Sequence, residues 1–143
     1  MQSVSLSKYN DDESLDEGGP VLLEEMIHIF NEYLDGFEPP YKTSTDALVN
    51  STFYASRSDR DFLMVDIVDY DEIHISSDRL IYSGWLSKLF SASHIHFSAT
   101  SNQVVEVLTD YFSVSRKDFE DIYATHYVAN IQMSPKTLNS VRE

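Results

Sequence analysis

The apolar positions of this chain change period along its length, and the changes mark out its elements. Val21, Leu22, Met26, Ile29, Phe30 and Tyr33 recur at helical spacing. Pro20 suits the first position of that helix, Glu24 and Glu25 suit its positive end, and Gly36 suits its stop. Pro39-Pro40 then imposes an extended break, after which Thr45 or Asp46 is placed to cap a short second helix through Phe53 and Tyr54. The period next falls to two. Residues 62–68 are apolar on both faces except at Asp66, which predicts an interior strand. Residues 72–76 alternate with the isoleucines inward, and Ser77-Asp78 offers a turn into residues 79–83. Residues 84–90 suit a helical turn or a strand, and residues 93–98 alternate again with Ile95 and Phe97 on one face.

Helical spacing returns at Ser101, which can cap a helix carrying Val104, Leu108, Tyr111 and Phe112. Ser115 and Asp118 resemble a capping box ahead of a stripe of Phe119, Ile122, Tyr123 and His126. Pro135 opens a last short helix or a tail. The sum is a single α+β domain, with a small, mostly antiparallel sheet of about four strands flanked by helices at both ends. Residues 1–19, polar and closed by Gly18-Gly19, read as a flexible acidic arm. The domain proper covers 20–133, and 134–143 form the terminal piece.

Composition narrows the class. A length of 143 residues suits one domain, and nine Tyr, eight Phe and one Trp in a 42% hydrophobic chain supply a core. The absence of Cys removes disulfides, thiolate zinc sites and a Cys nucleophile. The first residues lack the apolar core of a secretory signal, and no uninterrupted apolar run is long enough to span a bilayer. The expected setting is the cytoplasm, with no membrane partner.

Charge changes the picture most. Twenty-four acids against ten Lys and Arg leave a formal net charge of −14, unevenly placed. Residues 1–40 hold ten acids and Lys8, a net of −9, whereas residues 81–143 hold six acids and five bases, a net of −1. Such an excess costs the folded state self-repulsion and suits solubility or attraction to something basic.

The candidate chemistry is sparse. Asp66, Asp69, Asp71 and Glu72 follow one another closely at the end of the interior strand. Oxygen ligands of this kind can hold Mg²⁺ or Ca²⁺, but the spacing of an EF-hand loop is missing. A solvated loop, or a negative patch for a basic partner, fits better. Asp66 stands apart because its neighbours are apolar, so burial would require a donor for it. His94 and His96 share a strand face, and a third histidine from a neighbouring strand (His74) would complete a metal set. Outward strand positions are polar by default, so these are weak candidates. No G-x-S-x-G, P-loop or G-x-G-x-x-G occurs, and no cofactor or enzymatic reaction is expected.

At the C-terminus, residues 122–127 followed by Ile131-Gln132-Met133-Ser134-Pro135-Lys136-Thr137-Leu138 resemble helix-turn-helix regulators. The resemblance covers only this short stretch and implies a DNA-reading fragment. The acidic field opposes it, because phosphate contacts dominate DNA affinity. The leading expectation is therefore an acidic, protein-binding inhibitor. Its form is an immunity or antitoxin protein that occupies the positive cleft of a nuclease-type bacterial toxin. Asp66, Asp69, Tyr70, Asp71, Glu72 and Asp78 would form the contact patch. The alternatives are the regulator fragment and a small metal-dependent enzyme, and no oligomeric state follows from these features.

Overall fold

The computed structural model describes residues 3–12, 14–38, 51–58, 61–77, 92–123, 125–128 and 131–133. In chain order the elements are β1 (Val4–Tyr9), β2 (Leu15–Val21), α1 (Leu23–Asp35), β3 (Thr52–Ser58), β4 (Asp61–Asp69), β5 (Glu72–Ser77) and β6 (Ala92–Ala99). They are followed by α2 (Ser101–Ser113), α3 (Arg116–Tyr123), β7 (Thr125–Val128) and β8 (Ile131–Met133). The strands lie in the order β2-β1-β3-β4-β5-β6-β7-β8, with every neighbouring pair antiparallel. Six strands, β1 to β6, form the body of the sheet, and β7 and β8 extend it past β6. The α+β class is as expected; the sheet is larger than expected.

One face of the sheet carries the core. Val4, Phe53, Ala55, Leu63, Val65, Ile67, Ile73, Ile75, Ile95 and Ala99 point to the same side and are buried. Against them lie Met26, Phe30 and Tyr33 of α1, Val104, Val107, Leu108 and Tyr111 of α2, and Phe119 and Tyr123 of α3. The helical spacing read from the sequence thus marks Met26, Phe30 and Tyr33, then Val104, Leu108 and Tyr111, then Phe119 and Tyr123 as buried, whereas Val21 belongs to β2 and Leu22 is exposed ahead of α1. Thr100, one residue earlier than expected, caps α2: its hydroxyl accepts from the Gln103 N–H, while the Gln103 side chain accepts from the Thr100 N–H at 2.8 Å. Ser115 caps α3 as expected, its hydroxyl accepting from the Asp118 N–H.

Several expectations are corrected. Residues 4–9 and 15–21 form a hairpin rather than a flexible arm, because β1 buries Val4 and pairs with β3 on its other edge. The acids of β2 are tolerated because β2 is an edge strand, where charge also discourages further pairing. Pro20 belongs to that edge strand, paired with Ser5, and does not open α1. The helix begins instead at Leu23, where Glu25 reaches back to accept the Leu22 N–H at 2.8 Å. Phe53 and Tyr54 lie in β3, because Phe53 meets both Phe30 and Tyr33 across the core. β5 pairs with β4 on one side and β6 on the other. His126 lies in β7, and β7 with β8 form a hairpin where the helix-turn-helix likeness expected helices. Residues 39–50, 78–91 and 134–143, with the expectations placed on them, lie outside the described residues.

A buried polar cluster joins the sheet to the helices. Asp61, at the head of β4, forms an ion pair with Arg57, whose Nε lies 2.9 Å from Oδ2, and accepts a hydrogen bond from Arg116 Nη1 at 3.2 Å; Arg57 Nη1 donates to the Val114 carbonyl at 2.6 Å. The Tyr111 hydroxyl donates to Asp61 at 2.9 Å, and the Arg57 guanidinium lies over the Tyr111 ring at 4.3 Å. Arg116 continues to Glu120 through Nε at 2.7 Å and to the Ser77 hydroxyl at 2.9 Å. Two guanidinium groups thus face two carboxylates in a largely buried space. Burial and the Asp61 carboxylate push the Tyr111 phenol well above its ordinary value, which keeps it a donor.

Removing the Asp61 carboxylate takes from the buried Arg57 guanidinium its ion-pair partner. Asp61→Ala should therefore lose about 3–5 kcal/mol of stability in urea unfolding. A second expectation concerns backbone packing. A Cβ on Gly18 would sit 2.5 Å from the Leu6 carbonyl oxygen, whereas one on Gly19 meets nothing within 4 Å. Gly18→Ala should cost about 1–3 kcal/mol, and Gly19→Ala should be neutral or slightly stabilising, in thermal unfolding.

Candidate functional site

The β4–β5 connection is the most acidic turn among the described residues that also presents an aromatic ring. β4 ends at Asp69, which pairs across the strands with Glu72, leaving Tyr70 and Asp71 as the turn. Asp71 takes φ 58°, the left-handed region that Asp enters more readily than most residues. The Asp69 carboxylate accepts the Tyr70 N–H at 2.8 Å and so braces the turn from within. Asp71 Oδ1 accepts the Ser101 N–H at 2.8 Å, at the N-terminus of α2. A carboxylate there satisfies an otherwise unpaired amide and meets the positive end of the helix dipole.

Tyr70 stands out from this turn, 59% exposed, with its ring edge-on to Phe37 at 5.6 Å. Phe37 follows the end of α1, two residues after the exposed Asp35 and directly before the exposed Glu38. Asp69, Asp71 and Glu72 are likewise exposed. Among the described residues no Lys or Arg pairs with any of these five acids; the ion pairs of Arg57, Arg116 and Lys117 are made with Asp61, Glu120 and Asp121. Glu72 does meet His74, Oε2 to Nε2, at 3.2 Å.

Asp66 belongs to a different surface. It lies on the sheet face opposite the helices, half-buried, and accepts the Thr52 hydroxyl at 2.8 Å. Burial thus comes with the donor that the sequence called for. Tyr54, Met64, Phe62, His74 and His96 share this face. The Tyr54 and Tyr9 hydroxyls are 2.9 Å apart, and the Tyr54 ring is tilted against Phe62 at 6.4 Å. Burial, with the Tyr9 contact and the nearby Asp66 charge, pushes the Tyr54 phenol up to about 12.

The structure brings together four of the six residues proposed from sequence: Asp69, Tyr70, Asp71 and Glu72. Asp66 is set apart on the second face, and Asp78 lies outside the described residues. Phe37 joins the turn only in the tertiary structure; in sequence it precedes Tyr70 by 33 positions and shares no pattern with it. Of the histidine candidates, His96 is exposed and its ring meets His74 edge-on at 6.0 Å, while the side chain of His94 is outside the described set. Among the described residues no group of three His, Asp or Glu side chains is arranged to hold a metal ion, and no helix is long and apolar enough to cross a membrane.

No protein-family model matches the chain, and neither a curated protein nor a solved structure matches it. The class is therefore set by the fold itself, an antiparallel sheet with three helices on one face.

The raised phenol of Tyr54 makes a prediction with a definite sign. The unfolded tyrosine ionises near its ordinary value of 10.0, the folded one near 12. The stabilisation is complete below pH 10 and is lost as pH rises through about 12, because the unfolded state loses its proton first. Tyr54→Phe should make the alkaline decline of unfolding free energy shallower, and the late component of the phenolate absorbance titration should shrink.

Proposed function

We propose that this protein is an acidic, protein-binding inhibitor of the immunity or antitoxin kind, acting in the cytoplasm by occupying the positive cleft of a nuclease-type toxin. The observation that supports the reading is the β4–β5 turn. There an exposed aromatic ring stands among carboxylates that no Lys or Arg of the described residues neutralises. A nuclease cleft carries cations for phosphate, so an unneutralised acidic tip meets complementary charge there and is steered to it over a Debye length of about 8 Å at physiological salt. Tyr70 supplies a large, stiff contact area with a hydroxyl at its end, the kind of side chain that dominates the centre of an interface. The turn is braced by Asp69 and tied to α2 by Asp71, so little ordering is required when it docks. The reading needs no cofactor and no bond-making step.

The test begins with the protein immobilised and challenged with lysate of its native cell. Retained proteins should include a basic one whose nuclease activity is suppressed in the complex. With that partner in hand, Asp69→Lys combined with Glu72→Lys should lower the association rate by tenfold or more at low salt, with a much smaller effect on release. Asp71 is left intact because it holds the Ser101 amide. Tyr70→Ala should instead hasten release, costing on the order of 2 kcal/mol. Stopped-flow association across a salt series checks both. Kinetics indifferent to salt and to the charge reversals would remove the turn from the interface.

A further inference from the structure

We propose that the groove between α1 and the β1–β2 hairpin is a separate docking surface, which takes an aliphatic side chain from a partner segment flanked by Lys or Arg. Leu6 of β1, Val21 of β2 and Ile29 of α1 line an apolar depression of about 340 Å³, with Glu24, Glu25 and His28 along its rim. Leu6, Val21 and Ile29 pack against the core yet remain only partly buried, so each keeps apolar surface facing the groove. That volume is at the lower end of ligand pockets, which run from about 300 to 1,000 Å³, and suits one or two side chains. Leu22, 65% exposed, lies between Val21 and the start of α1 and extends the apolar surface beyond the groove.

The rim decides the occupant. Glu24 and Glu25 are exposed, and Glu25 is held in place because its Oε1 accepts the Leu22 N–H at 2.8 Å. His28 is drawn along the helix to Glu32, at 3.3 Å. A segment with an aliphatic side chain and adjacent cations fills the floor and pairs the rim; an acidic segment meets like charge. A second copy of this chain is a poor occupant for the same reason, since residues 1–40 carry a net of −9 in each copy. The floor is predominantly apolar and the rim carries charge, so recognition rests on an apolar anchor between basic neighbours.

The test uses the full chain and a short fluorescein-labelled peptide of alternating Leu and Lys, with Ser–Lys and Leu–Glu counterparts as controls. Anisotropy should show binding of the Leu–Lys peptide alone, and methyl NMR should show shifts at Leu6, Val21 and Ile29. Ile29→Asp should weaken binding by about tenfold or more, the scale of one buried aliphatic side chain. Glu24→Lys should weaken it at low salt. The paired Asp69→Lys and Glu72→Lys variant should leave it unchanged, which separates this groove from the β4–β5 turn. Equal binding of the Ser–Lys peptide, absence of binding, or methyl shifts elsewhere would overturn the proposal. Because the shifts are read on the unaltered protein, a variant that failed to fold would not blunt the test.

Discussion

The Asp61 carboxylate is the constraint on which the arrangement of this molecule depends. Two arginines and a tyrosine from three different elements converge on it: Arg57 from β3, Tyr111 from α2 and Arg116 from α3. Charges enclosed this way are tolerated only when each finds a partner. Tyr111 must therefore sit beside Asp61 and Arg57, which places α2 along the core, and Arg116 must reach down from the first turn of α3. Arg116 also contacts Ser77 and Glu120, so the end of β5 and the body of α3 are tied to the same point. Aromatic packing fills the space above, with Tyr111 edge-on to Phe119 at 5.1 Å and Phe97 stacked on Tyr123 at 5.6 Å.

That clamp bears on the candidate interface through β4. The strand starts at Asp61 and ends at Asp69, so its register is set at one end by the buried pairs and read out at the other by the acidic turn. α2 closes the circuit. Its core position is held by Tyr111, and its first residue, Ser101, donates to Asp71. Tyr70 is thereby carried on a turn anchored through both the strand and the helix. An exposed ring is useful for recognition when its backbone is already ordered, because less freedom is lost on docking.

Charge is divided between two environments. Arg57 and Arg116 face Asp61 and Glu120 inside, where pairing offsets the cost of burial. The acids of the β4–β5 turn and of the α1 rim are on the surface, where water and salt screen them and where their repulsion favours an incoming cation. The stability of the fold and its surface potential are therefore carried by different residues. A partner can engage the second group without disturbing the first.

Periodicity along the chain determined the helical faces around Met26–Tyr33 and Val104–Tyr111 and the strands at residues 62–68, 72–76 and 93–98, because burial on one side leaves a period that neighbouring residues share. The same local logic showed that Asp66 would need a donor and that the acids after it belong together. It failed where an element draws its support from afar. The β1–β2 hairpin is acidic and rich in exposed positions, and its strands are held by Val4 and by pairing with β3, which residues 4–21 by themselves do not reveal. The β7–β8 hairpin likewise extends the edge left by β6. Thr52 reaching Asp66, Ser101 reaching Asp71, and Phe37 reaching Tyr70 are contacts between residues 14, 30 and 33 positions apart. Only the tertiary structure decided those, because a hydrogen bond or a ring contact depends on separation in space, and the spacing of residue types along a chain encodes just the part of that separation lying within a single helix or strand.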